Sequence, residues 1–153
     1  MESRIRFGTP SDRDQLSHMR VALWPESSIE EHRQELTEIL SGKSSATMPL
    51  AILVADAGDG VIVGFLEVGL RSHADGCDTR VPVGFIEGWF VLQSQCKKGI
   101  GAQLMTAAED WARGHRCVEV ASDTWFDNDV SQRAHEALGF EVVDRCVHYR
   151  KAL

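Results

Sequence analysis

A single α/β domain built on a mixed sheet is the architecture this sequence predicts. Three observations carry it. β-rich runs of strand length and segments of helical period follow one another in the order β-α-α-β-β-β-α-β-α-β. Consecutive strands in the first half, two of them joined by Ala57-Gly58-Asp59-Gly60, call for antiparallel pairing, and helices inserted between later strands call for a crossover near the middle. A chain of 153 residues, 43% hydrophobic and 25% charged, fills one ordinary core and leaves no room for a second domain, so 1–153 reads as one unit.

Arg4 to Phe7 is the first strand candidate. Thr9-Pro10-Ser11-Asp12 opens a helix, with Thr9 as cap and Pro10 in the first turn. Leu16, Met19 and Leu23 follow at helical spacing until Pro25 ends the pattern. Ser28-Ile29-Glu30-Glu31 is a capping box for a second helix with the apolar stripe Leu36, Ile39 and Leu40. Leu50 to Asp56 and Val61 to Leu70 form the hairpin, and Val83 to Leu92 is the next strand, reached through the polar loop Arg71 to Pro82. From Ile100 the period turns helical, with Leu104, Ala107, Ala108 and Trp111 on one face and Gly114 at the end. A short strand over Cys117 to Ala121, a helix over Asp127 to Leu138 closed by Gly139, and a last strand over Phe140 to Tyr149 complete the chain.

Composition narrows the function classes. Sixteen basic against 23 acidic residues give a net charge of -7, which argues against a nucleic-acid partner and is compatible with a cationic one. The longest apolar runs, such as Leu50 to Ala55, are strand-length, and the start Met1-Glu2-Ser3-Arg4 lacks the apolar region of a secretory signal. A soluble, cytoplasmic protein is expected, without a membrane partner. Cys77, Cys96, Cys117 and Cys146 form no CxxC pair and read as incidental thiols, with no metal site.

The stretch Val91 to Gly101 carries the most chemistry. A strand enters a short loop with Lys97 and Lys98, then Gly99 and Gly101, then a helix. Glycines let backbone N–H groups approach a ligand, and the helix directs its positive end to the same point, as a pyrophosphate requires. The segment is neither a Walker loop nor a GxGxxG turn, and a glycine-softened helix start with solvated lysines accounts for it equally well.

Further on stands Asn128-Asp129-Val130-Ser131-Gln132-Arg133-Ala134-His135-Glu136-Ala137-Leu138-Gly139-Phe140. A glycine-loop helix followed by N-x-x-S-x-x-x-H-x-x-x-G-F resembles the acetyl-CoA-dependent GNAT N-acetyltransferases. The likeness departs from their pattern at Cys96, where Gln or Arg is usual, and at His135, where Tyr is usual. Within that superfamily the chain is similar to the aminoglycoside 6′-N-acetyltransferases. Leu23-Trp24-Pro25, Gly76-Cys77-Asp78, the central strand Phe85 to Leu92, Ala121-Ser122-Asp123-Thr124 and the closing His148-Tyr149-Arg150-Lys151 carry that likeness.

The resemblance implies a GNAT-like fold, acetyl-CoA as co-substrate, a cationic aminoglycoside as acceptor and a homodimer. It further implies that Trp89, Phe90 and Val91 supply backbone to the pantetheine arm, that Lys97, Lys98, Gly99, Ile100, Gly101 and Ala102 receive the pyrophosphate, and that Asn128 reaches the arm. Glu87 interrupts an apolar strand, where a carboxylate faces solvent, a partner or a ligand, and the resemblance assigns it to the substrate.

Asp123 follows a strand at its carboxyl end, where ligands of α/β sheets gather, or else caps a turn. Asp144, and more weakly His73 and Asp75, fall at substrate positions by family likeness, Asp144 reading equally as an outward-facing strand residue. Trp24 reads by itself as a core aromatic at a helix end, and with the family likeness as a flat cation-attracting face. His135 and Tyr149, the only tyrosine, are the candidate general acids, with Glu87 and Asp123 the candidate acids that hold or deprotonate the amine. Nothing pairs Cys96 with a base, so direct transfer is expected over an acyl-enzyme. Two other functions suit the same residues: acetylation of a polyamine or peptide N-terminus, and acetyl-CoA binding without catalysis.

Overall fold

The computed structural model describes residues 2–44 and 46–153. Its helices are α1 (Arg13–Leu23), α2 (Ile29–Leu40), α3 (Ile100–Gly114) and α4 (Asp129–Ala137). One sheet runs in the order β1 (Arg4–Phe7), β2 (Leu50–Asp56), β3 (Ile62–Arg71), β4 (Val83–Val91) and β5 (Val120–Ser122). The first four strands pair antiparallel, and β5 joins β4 in parallel after the α3 crossover. The expected mixed sheet, with its change of pairing in the second half, is present.

Local chemistry sets the boundaries. At α2 the Glu31 amide donates to Ser28 Oγ at 3.2 Å and the Ser28 amide to Glu31 Oε2 at 3.0 Å, the reciprocal pair read from the sequence. Thr9 and Pro10 open a short 3-10 turn, Pro10–Asp12, before α1 begins. The strand expected over Cys117 to Ala121 starts later, at Val120, because the Cys117 amide still donates to the Ala112 carbonyl at the end of α3.

The sheet divides the core in two. Leu16, Met19 and Leu36 of α1 and α2 pack with Ile52, Val54, Ile62 and Phe65 on one face. Ile100, Leu104, Met105 and Ala108 of α3 pack with Leu53, Ala55, Leu66, Val68 and Ile86 on the other. Each buried Val, Leu, Ile, Met or Phe side chain among these contributes about 1.5–3 kcal/mol relative to exposure.

Two bulges shift the alternation that a plain strand would show. The first places Val63 between the pairs Asp56–Ile62 and Ala55–Gly64. The second places Glu87 between the pairs Glu67–Gly88 and Val68–Ile86. Beyond it, Trp89 and Val91 join Ile86 on the α3 face and Phe90 turns to the α1 and α2 face.

The last strand expected from the sequence is not formed. Residues 140–153 carry no secondary structure, and Val142, Val143, Val147 and Tyr149 are exposed. Phe140 still packs on the α3 core, and Val143 lies so close over Gly76 that a Cβ there would meet it at 2.6 Å. The residues have strand character, but a strand exists only with a ladder partner, and none of the five strands supplies one.

Candidate active site

A cleft of about 860 Å³ opens between α1, α2 and the β3–β4 ribbon. Trp24, Glu35, Glu67, Arg71, His73 and Glu87 are among the residues lining it. The bulge of β4 explains why a carboxylate interrupts an apolar strand at 87: the extra residue leaves the ladder, and its side chain turns into the cleft. There Glu87 accepts two bonds from Arg71, Nε to Oε1 at 3.0 Å and Nη2 to Oε2 at 2.8 Å. The Arg71 guanidinium also stacks on the Phe85 ring, 3.5 Å from its centroid.

Trp24, the C-cap of α1, reaches the cleft over Gly88. A Cβ at 88 would lie 2.6 Å from the indole, so only glycine beside Glu87 admits the ring. Arg20 lies 5.2 Å from that ring and forms a second bidentate pair, to Glu67, with Nε–Oε1 at 2.6 Å and Nη2–Oε2 at 2.9 Å. Its Nη1 donates to Glu35 at 2.8 Å. Burial works against the Arg20 charge, but Glu67 and Glu35 outweigh it and raise the guanidinium above its ordinary value.

Beside the cleft, β4 loses a neighbour. It pairs with β5 only over Gly84, Phe85 and Ile86, so from Glu87 to Val91 its backbone has β3 on one side and, among the described residues, no strand on the other. That open edge leads through Gln93–Gln95 to the start of α3. Gly99 caps the helix at φ +78°, with open space where a Cβ would stand, and Lys97 shares the left-handed conformation at φ 65°. The first helical bond runs from Gln103 N to Gly99 O, which leaves the amides of Ile100, Gly101 and Ala102 for an anion. Trp89 holds the turn by donating from Nε1 to Gly101 O at 3.2 Å. An extended amide-bearing arm fits the open edge, and a pyrophosphate fits its end.

Asn128 caps α4: its Oδ1 accepts from the Ser131 amide at 3.1 Å, leaving the Nδ2 amide to donate elsewhere. His135 lies between the rings of Trp89 and Phe140, at 5.3 and 5.2 Å. Its Nδ1 donates to the Ser131 carbonyl at 2.7 Å, which makes Nε2 the acceptor for Ser122 Oγ at 2.8 Å when the ring is neutral.

Of the residues expected at the site, Trp24, His73 and Glu87 line the cleft. Trp89, Phe90 and Val91 form the open edge, and residues 97 to 102 form the helix start. Asp123 is exposed just after β5, next to Ser122, and Asp75 is exposed in the β3–β4 loop. Asp144 accepts only from the Arg145 amide, and Tyr149 is 92% exposed in the unpaired C-terminal segment. Neither lines the cleft within one chain. Cys96 is exposed and its thiol points to the Val91 and Leu92 carbonyls, at 3.9 and 3.6 Å.

Arg20, Glu67, Arg71 and Ser122 were not singled out in the sequence. Glu67 gives the same signal as Glu87, a carboxylate inside an apolar strand, and Arg20 stands one turn after Leu16 on the buried stripe of α1. Those two anomalies, taken together, were sufficient to find that pair.

Residues 13–140 match the acetyltransferase (GNAT) family model. The aminoglycoside N(6′)-acetyltransferase type 1 of Klebsiella aerogenes is 44% identical over 135 residues, covering 88% of this chain and 87% of the relative. That of Stenotrophomonas maltophilia is 37% identical over 150 residues, covering 97% and 93%. Among solved structures, AAC(6′)-Iy in complex with the bisubstrate analogue CoA-S-monomethyl-acetylneamine superposes with a TM-score of 0.87 at 37% identity, over 100% of both chains.

Proposed function

The chain belongs to the acetyltransferase (GNAT) family, and from that we propose that it transfers the acetyl group of acetyl-CoA to the 6′-amine of aminoglycosides. The observation that carries the proposal is Glu87: a bulge aims it into an acid-bearing cleft at the point where β4 parts from β5. Acetylation removes one positive charge and converts an ammonium into an amide, which weakens the drug on its anionic ribosomal target and confers resistance.

Acetyl-CoA supplies an activated thioester carbonyl. This chain's residues bind and orient it: the β4 backbone at Trp89, Phe90 and Val91 and the Asn128 amide along the arm, and the 97–102 segment on the pyrophosphate. Glu87 holds the acceptor's ammonium and takes its proton, directly or through one water, so that the free amine attacks the carbonyl. Trp24 receives the sugar ring. Glu35 and His73 line the same cleft, and the exposed Asp75, Asp123 and Asp144 add acidic reach for the remaining ammonium groups. For the departing thiolate, the proton comes from the Ser122 hydroxyl, which regains it from Nε2 of His135 when that ring is in its imidazolium form, or from Tyr149.

Residues 1–153 act as one catalytic domain. The homodimer is supported by the C-terminal segment, whose Val142, Val143, Val147 and Tyr149 lie exposed, as do Trp125 and Phe126. A second copy that covers this segment brings Asp144 and Tyr149 into a buried setting. Among the described residues no helix is long and apolar enough to cross a membrane, and dependence on acetyl-CoA supports a cytoplasmic location.

Glu87→Gln tests the reading. Thiol release with an aminoglycoside is expected to fall by about 10²–10³ in kcat/KM, while binding of acetyl-CoA, followed by calorimetry, persists. An unchanged rate would remove Glu87 from the reaction.

A further inference from the structure

The cleft holds two arginine–glutamate pairs of the same bidentate geometry and opposite exposure. In Arg20–Glu67 the side chains are 5% and 4% exposed, and the pair is a permanent part of the wall. In Arg71–Glu87 they are 46% and 33% exposed, and water reaches both partners. A buried pair is strongly destabilising to break, because one charge is left without a partner in a dry site. An exposed pair is weak and exchanges its partners with solvent and ligands. The two pairs also differ in what they are attached to: Glu67 lies within the β3–β4 ladder, whereas Glu87 is the bulged residue directed into the cleft.

Building on the acceptor reading above, we infer that Arg71 is a self-competitor: its guanidinium occupies the ammonium seat on Glu87 and has to be displaced for the acceptor to bind. Both Glu87 oxygens are taken by Arg71, at 3.0 and 2.8 Å. An ammonium entering the seat replaces two parallel N–H···O bonds by fewer. It also competes with a cation tethered at millimolar effective concentration. Displacement is made feasible by what Arg71 keeps and what the cleft gains. The face of Phe85, 3.5 Å from the guanidinium, remains a resting place for the cation. Release of Glu87 by Arg71 frees both carboxylate oxygens in a cleft where Glu35, Glu67 and Glu87 outnumber Arg20 and Arg71 by one charge, which suits a polycation. The same pairing gives Glu87 a partner between turnovers. The self-pairing thus weakens an acceptor's binding by what it takes to displace Arg71 from Glu87.

A double-mutant cycle read by calorimetry tests this, with neomycin as probe and wild type, Arg71→Gln, Glu87→Gln and the double variant as hosts. Arg71→Gln is expected to tighten neomycin about two- to fivefold, the gain that losing one exposed competing pair gives. In the Glu87→Gln background the same change is expected to give little or none, because the contested seat is gone. Arg71→Lys keeps the charge and loses the fork, so it should show part of the gain, and it serves in place of Arg71→Gln should that variant not fold. Weaker or unchanged binding by Arg71→Gln would overturn the inference. An equal gain in both backgrounds would overturn it too, reducing Arg71 to one more positive charge near the cleft. Loss of kcat in Arg71→Gln at unchanged affinity would do the same, making Arg71 a positioning residue for Glu87. Failure of the acceptor reading itself registers separately, as absence of thiol release by the wild type with neomycin and acetyl-CoA.

Discussion

Ser122 Oγ stands 2.8 Å from Nε2 of His135, and this contact joins the end of β5 to the last turn of α4. The Ser131 carbonyl fixes the other ring nitrogen as a donor, so the hydroxyl and the imidazole form one chain of exchangeable protons flanked by Trp89 of the open β4 edge. The family pattern usually has a tyrosine at 135, and here a histidine bonded to a serine stands there.

Removing either member separates proton delivery from packing. His135→Ala is expected to lower kcat about 10²-fold with little change in the acceptor's KM, and Ser122→Ala to lower kcat in the same direction. His135→Tyr should recover part of the loss. A change in KM alone for all three variants, measured by thiol release, would mark the pair as packing residues.

The buried Arg20–Glu67 pair is expected to dominate the stability of the cleft wall. Arg20→Ala leaves Glu67 charged and unpartnered, at a cost of about 3–5 kcal/mol. For a domain of this size that lowers the melting temperature by roughly 10 °C. Replacing both members by apolar residues of similar volume should restore much of the loss, and calorimetric melting of the single and double variants checks it.

Asp12 links stability to acid. Burial pushes its carboxyl up, but bonds from Arg6 at 2.8 and 3.0 Å and from the Thr9 amide at 2.7 Å outweigh burial and hold it below its ordinary value. The folded state therefore binds this proton less readily than the unfolded chain does. The associated stability is complete above the unfolded value of 3.8 and is lost as pH falls through the lower folded value. Denaturant midpoints should hold steady above about pH 5 and fall below about pH 4. Asp12→Asn should be less stable at neutral pH and show a shallower acid limb.

Removal of residues 141–153 should convert the enzyme from a species of twice 17.0 kDa to a monomer, as read by sedimentation. The truncated chain keeps all five strands and Phe140, so its far-ultraviolet dichroism should change little. A full-length chain that sediments as a monomer would contradict the dimer.

Much of this was legible in the residues. The switch from period 2 to period 3.6 at Ile100 and the capping box at Ser28 located their elements, and Glu87 stood out as a carboxylate in an apolar strand. What was missed depends on register. One extra residue in β4 decides that Glu87 meets Arg71 in a cleft and that Trp89 shares a face with Ile86, and no local pattern announces that residue. The last strand fails for a related reason: Phe140 to Tyr149 has the composition of a strand, but its formation depends on a partner, which composition does not encode.

Thiol release from acetyl-CoA with neomycin and with paromomycin, which differ in an amine against a hydroxyl at the 6′ position, tests the central claim most directly. Release with neomycin and none with paromomycin is the expected result, fixing both the reaction and the amine that Glu87 receives. Equal release with both would place the transfer on another amine, and release with neither would contradict aminoglycoside acetylation altogether.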